Sequence, residues 1–169
     1  YSVWRSDSPP AQMDFYEESG KERIRQQIAQ IIRQEAPVYE HVLKRRVARA
    51  WGFTRIGGNI QKILDECLPP DPAVTENGEE RVFWAPGQNP AEYRFYRVGE
   101  TEESKRAIDE IPPEELANAM YEVLMDFHSC EVDTLFRETV KLFGLSSVTN
   151  RARKFLQHGL DTLRKSGRI

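Results

Sequence analysis

Cysteine is scarce in this chain: Cys67 and Cys130 are the only two, far apart and in no Cys-x-x-Cys pair. A disulfide framework needs several cysteines at close spacings, so none is expected, and a reducing, cytoplasmic setting is the default. Histidine is nearly as sparse. His41 and His158 are isolated, and only His128-Ser129-Cys130 brings two ligand types close together, which argues against a metal site. Long apolar runs are missing too. No stretch nears the roughly 20 apolar residues of a membrane span, so no membrane partner is expected.

Other absences concern catalysis. There is no Gly-x-x-x-x-Gly-Lys-Ser/Thr loop to cradle a nucleotide's phosphates, and no cofactor is expected. No Ser/His/Asp or Cys/His arrangement can be assembled. The acid pairs Glu79-Glu80, Glu102-Glu103, Asp109-Glu110 and Glu114-Glu115 fall in loops or helix first turns, where solvation and the helix dipole account for them. The chain is therefore expected not to be an enzyme in itself. It opens on Tyr1-Ser2-Val3-Trp4-Arg5, neither an initiator Met nor a signal peptide, and reads as a boundary inside a longer polypeptide.

What the chain does have is charge, at 30% of its residues, in an uneven distribution. The net charge of −3 divides into −1 over residues 1–36, +3 over 37–68, −9 over 69–130 and +4 over 131–169. The two positive blocks leave room for an anionic partner in spite of the overall balance.

Helical periodicity organises most of the rest. After an extended lead-in over 1–20, whose Val3, Trp4, Phe15 and Tyr16 are candidates to dock on the body, Ile24, Ile28, Ile31 and Ile32 mark a helix over 21–35. Ala36-Pro37 ends it. A second helix, 39–51, carries Leu43, Val47, Ala50 and Trp51. Gly52 then stands where a left-handed cap belongs, and Thr54 is placed to cap a third helix bearing Ile56, Ile60, Ile63, Leu64, Cys67 and Leu68. Pro69-Pro70 stops that helix. Runs at 73–75 and 80–84 flank Asn77-Gly78, a hairpin dipeptide, and 93–98 offers a further strand. Beyond an acidic stretch, Ile111-Pro112-Pro113-Glu114-Glu115 opens another helix, with Leu116, Met120, Val123, Leu124 and Phe127 on its apolar face.

Aligning Gly52 with Gly144 sets an offset of 92 residues, at which Leu43, Arg45, Gly52, Lys62, Leu64 and Leu68 meet identical residues. That is six identities in 26 ungapped positions, continuous through the turn, and similar pairs such as Trp51 with Phe143 and Ile56 with Val148 fill the gaps. Helical hairpins in general share Leu and Gly spacings. Ungapped agreement through the turn favours an internal repeat of helix, turn and helix.

The expected fold is mainly α with a small β-hairpin or three-stranded sheet, arranged as tandem winged-helix or helix-turn-helix-like units. The lead-in covers 1–20, a first unit with a β wing 21–100, an acidic linker 101–113 and a second unit 114–169. The second helix of a helix-turn-helix reads nucleic acid with its N-terminal residues, while basic residues nearby meet phosphates. The candidate contacts to DNA or RNA are Arg45, Arg46, Arg49, Arg55 and Lys62 in the first unit, and Arg151, Arg153 and Lys154 in the second. Lys44, Arg81, Arg94 and Arg97 are further options. The wingless, more basic second unit is the stronger candidate. The alternative is a protein-docking or intramolecular docking module, in which these charges are a solvated face.

The segment Leu43-Lys44-Arg45-Arg46-Val47-Ala48-Arg49-Ala50-Trp51-Gly52-Phe53-Thr54-Arg55-Ile56-Gly57 resembles a bacterial domain of unknown function. So do Ile111-Pro112-Pro113-Glu114-Glu115-Leu116-Ala117 and the stretch from Phe83-Trp84 to Tyr93-Arg94. In that family the domain forms the C-terminal part of large proteins with a superfamily I helicase core and a Vsr-like endonuclease domain upstream. The resemblance, over about residues 20–169, implies a nucleic-acid-processing context and upstream helicase and nuclease domains as partners. It brings no catalytic residues with it.

Overall fold

Ile24, Ile28, Ile31 and Ile32 are all buried, so the first helix, α1 (Glu18–Glu35), forms by laying an isoleucine face on the core. It ends as its proline requires, with Ala36 extended at ψ 142° ahead of Pro37. The computed structural model describes residues 1–7, 10–78 and 80–169; Ser8, Pro9 of the lead-in's proline pair, and Glu79 lie outside it. The chain divides into two units, Ser2–Gly87 and Gln88–Ile169, with Tyr1 belonging to the second.

In the first unit α1 is followed by a two-residue strand β1 (Val38–Tyr39), helix α2 (Glu40–Ala50), helix α3 (Gly58–Cys67) and a hairpin of β2 (Val74–Asn77) and β3 (Glu80–Phe83). The three strands form one antiparallel sheet in the order β1-β3-β2. Asn77 pairs with Glu80, and Gly78 between them takes φ +65°. The third strand is thus Val38–Tyr39, and the run 93–98 forms none. The core gathers the isoleucines of α1, Leu43 and Val47 of α2, Leu64 of α3, and Val82 and Phe83 of β3. Trp51 is buried against it, donating from Nε1 to Gln27 Oε1 at 2.8 Å.

The lead-in docks as its aromatics suggest, though not with all of them. Phe15 is wholly buried in edge contacts with Trp51 and Phe53, and Trp4 is buried, whereas Tyr16 is 50% exposed. Trp4 is pinned by its backbone N–H, which donates to Glu35 Oε2 at 2.9 Å, and by its indole, which donates to Gln30 at 3.1 Å.

The second unit is a three-helix arrangement of α4 (Pro113–Phe127), α5 (Val132–Leu142) and α6 (Asn150–Lys165). Leu116, Met120 and Val123 of α4, Leu135, Phe136 and Val140 of α5, and Leu156, Leu160 and Leu163 of α6 fill its core. Gly159 lets α6 come against α4: a Cβ there would stand 2.7 Å from the Leu116 Cβ. The stretch 88–112 packs with this unit, so the division of the chain falls ahead of the acidic segment that reads as a linker.

The run 93–98 has the composition of a strand but another use for its backbone. Asn118 on α4 donates from Nδ2 to the carbonyls of Tyr93 and Phe95 at 3.2 and 2.8 Å. The Arg97 N–H donates to Glu115 Oε1 at 3.0 Å, and the Arg97 carbonyl accepts from Arg106 at 2.5 Å. Side chains of α4 and Arg106 take the hydrogen bonds that a neighbouring strand would have taken.

Candidate nucleic-acid interface

Two pairs of helices share their boundaries and the turn between them. Helices α2 and α5 run over 40–50 and 132–142, both ends separated by the repeat offset, and α3 and α6 start at 58 and 150, again separated by it. The turns match in detail. Gly52 and Gly144 take φ +82° and +74°, and the residues before them, Trp51 and Phe143, take −89° and −90°. Phe53 N–H donates to the Ala48 carbonyl and Leu145 N–H to the Val140 carbonyl, each at 2.9 Å. These are the left-handed caps that helices use to satisfy their last carbonyls.

The copies differ in how the second helix begins. Thr149 caps α6, its Oγ1 accepting from Ala152 N–H at 3.0 Å. At the matching position in the first copy stands Gly57, with no side chain to offer. The cap expected from Thr54 is not made, because the loop runs on past it and the helix begins only at Gly58. Ile56 therefore lies outside the helix, 37% exposed.

In the first copy Lys44 is buried, its Nζ 2.5 Å from Asp65 Oδ1 and 3.8 Å from Glu40, so its charge is consumed within the unit. Arg45 and Arg46 are half-buried, and Arg46 Nε donates to the buried Glu35 carboxylate at 3.2 Å. Arg49, Arg55 and Lys62 are exposed and make no ion pair with another described residue. Arg46 and Arg49 border one surface hollow, joined there by Arg5 of the lead-in. Arg81 on β3 pairs with Glu40 and lies over the Phe83 ring.

In the second copy Arg151, Arg153 and Lys154 all lie in the first turns of α6, and all are exposed. Two residues apart on a helix is about 200° around the axis, so Arg151 and Arg153 point to different sides. Arg151 reaches Asp109 at 2.6 Å, while Arg153 reaches Asp133 at 2.8 Å and lies over the Phe136 ring. Lys154 makes no ion pair with another described residue and shares the side of Arg151. Arg137 and Lys141 on α5 are also exposed. Arg94 donates to the carbonyls of Ala91 and Tyr93, at 3.0 and 3.1 Å.

The most polar interior site escaped the sequence reading. Glu115 sits in the first turn of α4 as expected, but it is wholly buried, not solvated. Arg97 Nη2 meets its Oε2 at 2.9 Å and Arg106 Nη1 meets the same oxygen at 2.7 Å. Burial alone would raise its pKa. The two guanidinia, Arg106 first, outweigh that and hold the carboxyl below its usual range. The Tyr1 ring stacks over Arg106 at 4.1 Å. Nothing in the spacing of residues 97, 106 and 115 announces such a cluster. Nearby, burial and a hydrogen bond with Glu122 push the Tyr96 hydroxyl up to about 12.

Cys67 is buried on the apolar face of α3, and burial pushes its thiol up. Among the described residues no three His, Cys, Asp or Glu side chains gather as a metal ion would require, and no helix is long and apolar enough to cross a membrane.

No curated protein and no solved structure matches this chain. Residues 13–62, from the lead-in's 3-10 turn to the middle of α3, are similar to a family described as a protein of unknown function (DUF3320).

Proposed function

We propose that this chain is a non-catalytic, cytoplasmic accessory module of a helicase- or nuclease-type protein, and that it contacts DNA or RNA through the basic surfaces of two related helix-turn-helix units. The observation that carries this reading is the recurrence of one helix-turn-helix with matching boundaries and turn torsions, each copy with exposed basic residues in or just before its second helix. In such units that helix enters a groove and its first turns reach the bases.

The first unit supports a winged form of the motif. A strand ahead of α2 closes a three-stranded sheet with the hairpin that follows α3, and this supports reading β2 and β3 as the wing. The second unit, without a strand after α6 among the described residues, is the plain form. It is also the better candidate for contact. Its ion pairs Arg151–Asp109 and Arg153–Asp133 are solvent-exposed, and such pairs contribute about 0–1 kcal/mol. A phosphate can therefore replace the carboxylate at little cost. The helicase and nuclease context, with those domains upstream in the same polypeptide as partners, rests on the resemblance of 43–57 and 111–117 and is in keeping with the similarity over 13–62 to a domain of unknown function.

The test is fluorescence anisotropy with labelled duplex and single-stranded DNA and RNA across a salt series. Binding is expected to weaken with salt, and the triple variant Arg151→Ala, Arg153→Ala, Lys154→Ala is expected to reduce the salt slope by about 2–3. No binding to any strand at about 50 mM salt would sink the reading.

A docking module is the second reading, and one observation favours it. Met125, Phe127 and Val132, at the adjoining ends of α4 and α5, are 58%, 50% and 41% exposed. Pull-down with the upstream domains, retained in the triple charge variant and lost in Phe127→Asp, would point to this reading instead.

A further inference from the structure

Within the second unit, the stretch 93–98 and the residues after α6 meet at Asn118 on α4. Asn118 Nδ2 donates to the carbonyls of Tyr93 and Phe95, and its Oδ1 accepts from Arg168 Nη2 at 2.6 Å. Arg94 Nη1 donates to the same Tyr93 carbonyl at 3.1 Å. One carbonyl and one carboxamide thus stand between two guanidinia.

Neither arginine has a carboxylate partner. Arg94 is exposed and Arg168 half-buried, and neither makes an ion pair among the described residues. Arg94 uses Nη1 on carbonyls; Arg168 uses Nη2 on Asn118 and Nε on Ser166. Arg94 Nε and Nη2 and Arg168 Nη1 have no hydrogen-bond partner among the described residues, so each planar fork keeps donors for an oxyanion. Burial and the charge of Arg94 hold the Arg168 guanidinium below its usual pKa, as expected of neighbouring cations without an acid between them. Glu92, two residues before Arg94, is exposed and pairs with neither.

Aromatic rings accompany these charges. Phe95 is 68% exposed, more than Tyr16 or Phe127, although its backbone is held by Asn118. Tyr93 braces its ring edge-on at 5.6 Å. Arg168 lies over the ring of Tyr121, which stands one helical turn beyond Asn118, at 4.9 Å.

An open ring offers a π-face, and the cations beside it call for anions. A single strand brings a free base face and a phosphate at every repeat. Duplex bases are already stacked on one another, and an acidic peptide carries charge without a ring at each step. We propose that Arg94, Phe95 and Arg168 form a binding site for single-stranded nucleic acid, a base stacking on Phe95 and backbone phosphates meeting the two guanidinia. The site rests on the reading of this chain as a nucleic-acid-binding module and adds unpaired strands to it. Arg168 follows the end of α6, whereas Arg151, Arg153 and Lys154 lie at its start, and a helix of 16 residues is about 24 Å long. The two surfaces are therefore separable.

The test is anisotropy of the full chain with a labelled thymidine strand of about 15 nucleotides and with a duplex. Saturable binding of the strand is expected, weakened at least about fivefold by Phe95→Ala and by Arg94→Glu, with unchanged melting temperatures because both side chains are exposed. Phe95→Tyr is expected to retain binding, and Phe95→Leu, apolar but without a ring, is expected to lose it. The triple variant Arg151→Ala, Arg153→Ala, Lys154→Ala is expected to leave affinity for the strand unaltered. No binding of the strand at about 50 mM salt, or native affinity in Phe95→Ala, would overturn the proposal. So would equal displacement by a polyglutamate peptide, which would mark a surface for acidic proteins, or loss of the strand in the triple variant. Duplex binding without strand binding would remove this site and keep the α6 reading. Strand binding lost in Phe95→Ala, with duplexes ignored, would keep this site and refute that reading.

Discussion

Arg106 and Glu115 are both buried, and they meet through two hydrogen bonds, Nη1 to Oε2 at 2.7 Å and Nη2 to Oε1 at 3.0 Å. Arg97 adds a second guanidinium to the same carboxylate and so ties the extended stretch 93–98 to α4. Removing the charge from the acid leaves two guanidinia around a neutral group in the interior. Glu115→Gln keeps the shape, and it is expected to cost about 3–5 kcal/mol of unfolding free energy, read from urea unfolding. A loss below about 1 kcal/mol, the value of a surface pair, would show that the cluster is solvated.

The same cluster sets a response to acid. Its carboxyl has a folded pKa below the unfolded value, so the unfolded chain binds the proton more readily. The stabilisation is fully present above the unfolded pKa of about 4.3, and it is lost as pH falls through the folded pKa. Stability measured between pH 7 and 3 should fall more steeply below about pH 4 in the native chain than in Glu115→Gln. Parallel curves would remove Glu115 as the cause.

Gly159 is a test of helix packing. In an exposed helix, Ala would be favoured over Gly by about 1 kcal/mol. Here the new Cβ would stand 2.7 Å from the Leu116 Cβ, an atom near the backbone that cannot swing away. Gly159→Ala should therefore lower the melting temperature, at a cost of about 1–3 kcal/mol. A rise in melting temperature would mean that α4 and α6 are farther apart than described.

The two turn glycines make a matched pair. At Gly144 an added Cβ meets only the Lys105 Cε, at an ordinary 3.6 Å, so the cost of Gly144→Ala is torsional, about 1–2 kcal/mol. Gly52→Ala should cost about the same, since its one close neighbour, Gln12 Nε2 at 2.8 Å, ends a flexible side chain. Asn at either position should be milder than Ala, because Asn tolerates the left-handed region. Calorimetry on the four variants checks this order. Indifference at one turn and not the other would break the equivalence of the copies.

Cys67 should be slow to react with a thiol reagent in the native chain and fast in urea, because burial both shields it and raises its pKa. Cys130, half-buried, should react first. Equal native rates would place α3 away from the core.

How far the fold was legible follows from what each element depends on. The isoleucines of α1, the prolines at 37, 69 and 113 and the glycines at 52 and 144 act through local spacing and backbone torsion. Helices α1, α2, α4 and the repeated turn could therefore be read directly. The third strand could not. Tyr93–Val98 has the aromatic and branched composition of a strand, while Val38–Tyr39 is too short to signal one. The sheet took the shorter segment because Val38 and Tyr39 face the register of β3, and because Asn118, Glu115 and Arg106 satisfy the longer one.

By itself the sequence determined the helical class, the left-handed glycines at the turns after α2 and α5, and where the basic residues fall along the helices. The tertiary structure alone decided the state of those charges. Lys44 is paired and buried, Arg46 is held by Glu35, and Arg49 comes beside Arg5, a residue far away in sequence. It alone decided, too, that one glutamate among the chain's many acids is buried between two arginines. Spacing and torsion are properties of neighbours along the chain. Burial and charge pairing belong to neighbours in space, which only the folded chain brings together.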